Sequence, residues 1–429
     1  MKIFTWSLIL LLFSVRLSAQ DIDAIINAKE VERVEKVISS DDMKGRATFS
    51  PGIEKAADFI ESEFKAAGLQ TWHNNKSYRQ PFAVVKSKRI SAGGNLDGIV
   101  LPEASIVAVT SEAALAIDEH SGYEVVTIKA GEQLGARAMK YIGQDSKNYL
   151  VLVDTSFARN FGRLSYFAGQ SFKSPRSVVF VLGSVAPTRY SIKTTQEITE
   201  QKLANVIGIL PGKSRKDEYV IFSGHYDHLG VGKPDAKGDT IFNGANDDAS
   251  GSTAVIMLAK YFAKAHENER TLVFVTFTAE EIGGYGSQFF SRQFDPEKVK
   301  AMFNIEMIGT ESKWGINSAY ITGYDRSDMG KILEKNLQGS QFAFHPDPYP
   351  DQQLFYRSDN ATLARQGVPA HTISTSKMDS EKFYHTQGDE IGTLDMNNMA
   401  RIIKSIAISS KTIVAGADTP SRVDTSQLR

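Results

Sequence analysis

"TLVFVTFTAEEIGGYGS" (Thr271–Ser287) decides the architecture. Its first seven residues are apolar or β-branched with no polar alternation, the pattern of a strand buried on both faces. Glu280 and Glu281 follow almost at once, and then Gly283, Gly284 and Gly286. Two like charges at the mouth of a buried strand repel each other unless a cation lies near them. The glycines let the backbone turn away after the pair and leave space.

The same texture repeats on either side. "NVIGIL" (Asn205–Leu210), "EYVIFSG" (Glu218–Gly224) and "AMFNIEM" (Ala301–Met307) are further apolar runs. Helical spacing appears between or after them in Ser250–His266, Arg326–Gln338 and Asp395–Val414. Near-continuous apolar strands alternating with helices predict an α/β fold: a mixed, mostly parallel central sheet covered by helices on both faces. Toward the N-terminus, Ile53–Leu69 places Ile53, Ala56, Ala57, Ile60, Phe64 and Ala67 on one face, with Gly68 as its C-terminal stop. Asp21–Ser39 also alternates apolar and charged residues at helical spacing, and "SSDDMKGRATFSPG" (Ser39–Gly52) joins the two.

Between Val84 and Thr199 the pieces are short and β-rich: "SIVAVT", "EVVTIKA", "NYLVLVD" and "SVVFVLG", separated by Gly, Asn and Ser turns. This stretch holds no cluster of chemistry-bearing residues and only His120 among histidines. The expected organisation is therefore an N-terminal helical part of the main domain (20–83), a β-rich insertion (84–199), a catalytic core (200–415) and a polar, disordered tail (416–429).

Residues 1–19 begin with Lys2, continue through an apolar stretch from Ile3 to Val15 and end in "LSA", the pattern of a cleaved export signal rather than a membrane span. The protein is expected to be exported, to the periplasm or the extracellular space. Without those residues, which include Lys2 and Arg16, the 49 basic residues fall to 47 against 50 acidic ones, a net charge of −3. That balance excludes a nucleic-acid surface, and no later run is long enough to cross a bilayer. The chain has no cysteine. It therefore has no disulfides, and any metal site must use His, Asp and Glu.

Polar residues of those types gather at the ends of the predicted strands, where open α/β sheets collect their chemistry. "FSGHYDHLG" puts His225 and Asp227 directly after a strand; His-x-Asp suits a ligand whose ring is fixed by a carboxylate, and His228 is the weaker candidate. "NGANDDASG" puts Asp247 and Asp248 at a helix start, one more carboxylate than capping needs. Glu306 sits inside an otherwise apolar run, where a charge calls for a cation. "YHTQGDEIG" adds Tyr384, His385 and Asp389. Mixed nitrogen and oxygen donors suit zinc, cobalt or manganese.

Taken in order, "GHYDHLG", "NGANDDASG", "FTAEEIGGYGS", "NIEMIG" and "YHTQGD" resemble the co-catalytic di-zinc aminopeptidase family, whose relatives include glutamate carboxypeptidase II and the glutaminyl cyclases. The resemblance covers Asn205 to Asp395 and extends more weakly to Ser39–Leu69. It implies the zinc aminopeptidase, phosphorylase/hydrolase-like fold, two Zn2+ per chain (Co2+ or Mn2+ as substitutes) and peptide substrates with a free N-terminus. It implies that His225, Asp247 and Glu306 hold one metal and that Asp247, Glu281 and His385 hold the other. Glu280 becomes the general base and Tyr384 the oxyanion donor, and Asp227 and Asp389 lie behind the ligands. A cis peptide is implied at Asp247–Asp248. Glu306 stands where the family usually has aspartate. "YRSDNATLARQGVPA" (Tyr356–Ala370) resembles the family's substrate-side loop, with Arg357 and Asp359 as substrate-contact candidates, although Asn360 stands where a histidine is common. The insertion is compatible with a protease-associated-type lid. The alternatives on the same fold are a glutaminyl cyclase-like acyltransferase, which typically runs with one zinc, and an inactive receptor-like module, which should have lost ligands.

Overall fold

The computed structural model describes residues 22–143 and 147–428. The predicted export signal lies outside them. The described chain forms two compact units: one comprises the residues up to Pro81 together with those from Leu203 onward, and the other is Phe82–Lys202.

The first unit carries helices α1 (Ala28–Ile38), α2 (Pro51–Ala66), α3 (Ser250–Ala265), α4 (Tyr285–Ser291), α5 (Met329–Leu337) and α6 (Met396–Ser409). Its strands are β1 (Tyr190–Leu210, by its C-terminal part), β2 (Arg215–His225), β3 (Arg270–Phe277), β4 (Val299–Ile305), β5 (Ser318–Ile321), β6 (Ala343–Pro346) and β7 (Ala370–Ser374). They lie in the order β6-β5-β7-β4-β2-β3-β1. The four central strands β7, β4, β2 and β3 run parallel, while β1 and β5 run against their neighbours β3 and β7. The predicted mixed, mostly parallel sheet is what forms.

Alternation along β2 explains why the strands read as unbroken apolar runs. Val220 and Phe222 join a core with α1, α2, α3, α5 and α6, while Ile221 joins Val273, Val275 and Phe290 on the other face. Phe222 stacks on Phe274 and Phe303 of the flanking strands, at 5.5 and 5.0 Å between ring centres. Local signals set the helix starts: Ser50 accepts from the Ile53 N–H ahead of Pro51, and Asp395 accepts from the Asn397 and Asn398 N–H groups.

Two expectations need correction. Asp395–Val414 is two helices, Met396–Ser409 and Lys411–Val414, rather than one. The tail is ordered: Val423 is buried, and the Arg422 guanidinium donates to the carbonyls of Pro296, Val299 and Gln366. One apolar side chain and one multidentate cation are enough to dock a segment that composition alone reads as disordered.

The second unit contains a four-stranded sheet in the order Ile106–Val109, Val178–Leu182, Tyr149–Val153, Glu124–Ile128, with helices Leu134–Ile142 and Ser165–Gly169. Val151 and Val153 face one core, and Leu150 and Leu152 the other. Among the described residues, no helix is long and apolar enough to cross a membrane.

Candidate metal centre

Strand register brings the motifs together. His225, the last residue of β2, is level with Phe277 at the end of β3, and Ser223 is level with Asn304 of β4. Glu280 and Glu281 lie just past β3, Glu306 just past β4, and Asp247 and Asp248 just before α3. All therefore emerge at the carboxyl edge of the parallel strands. Ala279, Met307 and His385 take left-handed backbone conformations (φ 60°, 53° and 57°) although none is glycine, the kind of strain that surrounding structure must hold in place. Gly283 and Gly284 (φ 120° and 67°) turn the chain away from the pair, and at Gly286, inside α4, a Cβ would lie 2.3 Å from the Thr278 carbonyl and 2.4 Å from Asn205 Oδ1.

Two groups of donors converge. The ligand atoms of His225, Asp247 and Glu306 lie within 4.8 Å of one another, as do those of His228, Asp247 and Glu281. Asp247 belongs to both. Its Oδ1 is 3.2 Å from His225 Nε2, and its Oδ2 is 3.2 Å from His385 Nε2. His385 Nε2 is also 3.2 Å from Glu281 Oε2, and His228 Nδ1 is 2.7 Å from Glu281 Oε1. The five expected ligands thus meet at one place, and His228, the weaker candidate, meets them there. The residues three apart in "HYDH" converge because the chain turns sharply after β2; spacing alone does not fix that turn.

The donor set fits a divalent metal. His225 Nε2 and Glu306 Oε2 are buried without hydrogen-bond partners, an arrangement that costs free energy unless a cation completes it. His225 Nε2 approaches Asp247 without hydrogen-bond alignment, as two ligands of one ion do. The charge balance agrees. Burial pushes the Glu306 carboxyl up to about 7 and the Glu280 carboxyl well above its usual range, with Glu306 and Glu281 adding to the rise at Glu280. Burial also works on Asp247, but His225 and His385 beside it hold it below the carboxylate range. Asp247 and Glu281 lift His385 to about 10.

Behind the donors stands a hydrogen-bonded frame. Asp227 accepts the Glu280 N–H (3.0 Å) and the Glu281 N–H (3.3 Å), and its main-chain carbonyl lies 3.1 Å from His225 Nδ1. Asp389 accepts the N–H groups of Asn246 (2.8 Å) and Asp247 (3.0 Å). Both stand behind the donors. The Asp247–Asp248 peptide is cis, as the resemblance implies.

Two members of the frame had no role in the sequence reading. Asp248 accepts from the backbone of His225 (3.0 Å), Gly251 (3.0 Å) and Met307 (3.1 Å), tying β2, α3 and the segment after β4 to one carboxylate. The signal for it was the doubled aspartate. Arg46 is fully buried and donates to the carbonyls of Ile38 (2.9 Å), Tyr226 (2.8 Å), Gly244 (2.9 Å) and Asn243. It joins the loop after His225 to the loop before Asp247, and nothing local in "KGRATF" marks it.

The substrate-side residues divide. Arg357 lines a small cleft of about 40 Å³ together with Glu306, Met307, Tyr320 and Tyr384. The Tyr384 ring stacks on His385 at 3.9 Å. Asp359 does not line that cleft; it is buried, with neither oxygen hydrogen-bonded, and burial raises its carboxyl to about 6.

Comparison with known proteins agrees with this architecture. Residues 205–409 match Peptidase family M28. The chain is 25% identical over 299 residues to leucine aminopeptidase 1 of Ajellomyces capsulatus, covering 65% of this chain and 74% of that one. Among solved structures, it superposes on an aminopeptidase from Aneurinibacillus sp. strain AM-1 with a TM-score of 0.53 at 18% identity, over 95% of this chain and 98% of the other. A zinc aminopeptidase from Bacillus subtilis gives 0.52 at 16% identity, over 93% and 98%. At these identities the superpositions establish the fold.

Proposed function

We propose, from the match of residues 205–409 to peptidase family M28, that this protein is an exported aminopeptidase that removes the first residue of peptides through two zinc ions. The observation that carries the proposal is Asp247, whose two oxygens each lie 3.2 Å from a different histidine, His225 and His385. A carboxylate facing two donor groups in this way suits a ligand shared by two cations. The relatives named as leucine aminopeptidase and zinc aminopeptidase support the substrate class and the metal. The apolar run from Ile3 to Val15 supports export.

In this reading His225, Asp247 and Glu306 hold one ion, and Asp247, Glu281 and His385 hold the other. When bound, the ions supply Lewis acidity to the scissile carbonyl and lower the pKa of the attacking water toward neutrality. Glu280, held by Asp227 through its backbone, takes the proton from that water and returns it to the leaving amine. Burial suits the task, because a carboxyl raised above its usual range is a stronger base once ionised. The Tyr384 hydroxyl donates to the developing oxyanion. Arg357 and Tyr320 border the cleft beside Glu306 and contact the substrate.

The test is metal content per chain measured together with hydrolysis of aminoacyl and N-acetylated peptides. Two zinc ions and cleavage confined to free amines support the proposal. One metal with cyclase activity, or no turnover with a full metal complement, defeats it.

A further inference from the structure

A cavity lies within Phe82–Lys202, and no residue of the candidate metal centre lines it. Its volume is about 340 Å³, against about 40 Å³ for the cleft beside Glu306. That is the lower end of the range that small-molecule sites occupy.

Two neighbouring strands build its polar wall. Ser87 and Arg89 are two residues apart on Arg79–Leu96, and Thr194 and Gln196 are two residues apart on Tyr190–Leu210. Residues at that spacing on one strand share a face. Thr194 is 3% exposed and Gln196 is 5% exposed, yet Thr194 Oγ1 and Gln196 Oε1 have no hydrogen-bond partner. The Gln196 amide is not free to turn away, because its Nε2 donates to the Glu112 carbonyl at 3.2 Å. Arg89 is fixed in the same manner, with its Nη1 donating to the carbonyls of Ile106 (3.0 Å) and Glu103 (3.4 Å). Ala168 and Gly169 leave the opposite wall without bulk.

Each feature selects a chemical group. Gln196 Oε1 is an acceptor and needs a ligand N–H or O–H; Thr194 Oγ1 can serve either way. Arg89 is the only charged residue in the lining; its Nε lies 3.9 Å from the exposed Glu103 carboxylate, a weak pair that leaves the guanidinium able to take an anion. The small residues accommodate an alkyl group. An amide N–H, a carboxylate and an alkyl side chain on adjacent atoms make up the C-terminal end of a peptide. We propose that this cavity binds peptide C-termini: carboxylate on Arg89, last amide N–H on Gln196 Oε1, terminal side chain against Ala168 and Gly169. The proposal goes beyond the aminopeptidase reading and does not depend on hydrolysis.

The experiment titrates the metal-loaded full chain with acetyl-Gly-Leu and, separately, with its C-terminal amide, using calorimetry. The blocked N-terminus keeps the probe from serving as an aminopeptidase substrate. The acid is expected to bind at least about tenfold more tightly than the amide. Arg89→Gln and Gln196→Leu should each weaken the acid by about tenfold, and Ala168→Phe should abolish its binding. Far-UV circular dichroism and hydrogen exchange of Phe82–Lys202 should match the unsubstituted chain in all three, which shows that this unit folds, and hydrolysis of leucine p-nitroanilide should be unchanged. Arg89 lies at the exposed rim, so its variant keeps the test alive if a buried substitution misfolds. No binding of the acid, equal binding of acid and amide, or binding that survives Ala168→Phe overturns the proposal. Failure of the aminopeptidase reading appears separately, as absent hydrolysis in the unsubstituted chain with calorimetric binding intact.

Discussion

Asp227 holds Glu280 and Glu281 by their backbones: its Oδ1 accepts the Glu280 N–H at 3.0 Å and its Oδ2 the Glu281 N–H at 3.3 Å. The side chains of the pair are thereby left free for different work. One carboxylate behind the sheet edge fixes the starting direction of two others, and it pins them to the β2 turn that carries His225. Asp227→Asn replaces one acceptor with a donor that faces an N–H. Zinc affinity and kcat/KM should each fall about 10–100-fold. Titration with a metal-buffered zinc indicator checks the first and initial rates the second; unchanged values in both refute the supporting role.

Glu280 and Glu281 should separate on substitution. Glu280→Gln is expected to lower kcat by about 10²–10⁴-fold while leaving bound metal unchanged. Glu281→Gln should instead lose metal, because Glu281 Oε2 faces His385 and Oε1 faces His228. Elemental analysis of the two purified variants, run beside activity, decides the matter. Equal metal loss in both removes the division of labour.

His228 and His385 compete for the same carboxylates. His385 Nε2 lies 3.2 Å from both Asp247 Oδ2 and Glu281 Oε2, whereas His228 Nδ1 lies 2.7 Å from Glu281 and 3.9 Å from Asp247. We expect His385→Ala to lose one zinc per chain and His228→Ala to keep two at saturating zinc while binding them less tightly. The reverse pattern in metal content makes His228 the ligand.

Glu35 gives the fold a pH dependence of its own. Burial raises its carboxyl from the ordinary 4.5 to about 8, against the lowering effect of the Thr253 hydroxyl, which donates to Oε2 at 2.8 Å. Between those values the folded chain keeps a proton that the unfolded chain releases. This group's contribution to stability therefore falls as pH rises, by ~1.4 kcal/mol per unit across the window. Below pH 4.5 both states are protonated and the loss vanishes. Glu35→Gln should thus gain on the native chain between pH 5 and pH 8 in thermal melts. A difference in Tm that does not change with pH excludes this assignment.

Much of the architecture was legible because its determinants are local. An unbroken apolar run such as "TLVFVTF" reports burial on both faces, and β3 is flanked by cores on each side. Ser50-Pro51 and Asp395 mark helix starts by hydrogen bonds made within three residues. The tail was misread for the complementary reason: its order comes from Arg422 reaching carbonyls more than fifty residues away in sequence.

By itself the sequence determined the class of sheet, the helices that cover it and which residue types stand at the strand ends, all of which depend on spacing within one element. Only the tertiary structure decided that Asp247 faces two histidines, that His228 turns inward, and that Asp248 and Arg46 tie the ligand-bearing loops together. Those relations join residues from 46 to 385, and no periodicity encodes them. They follow from strand register and from a buried cation and buried carboxylates finding backbone partners once water has been excluded.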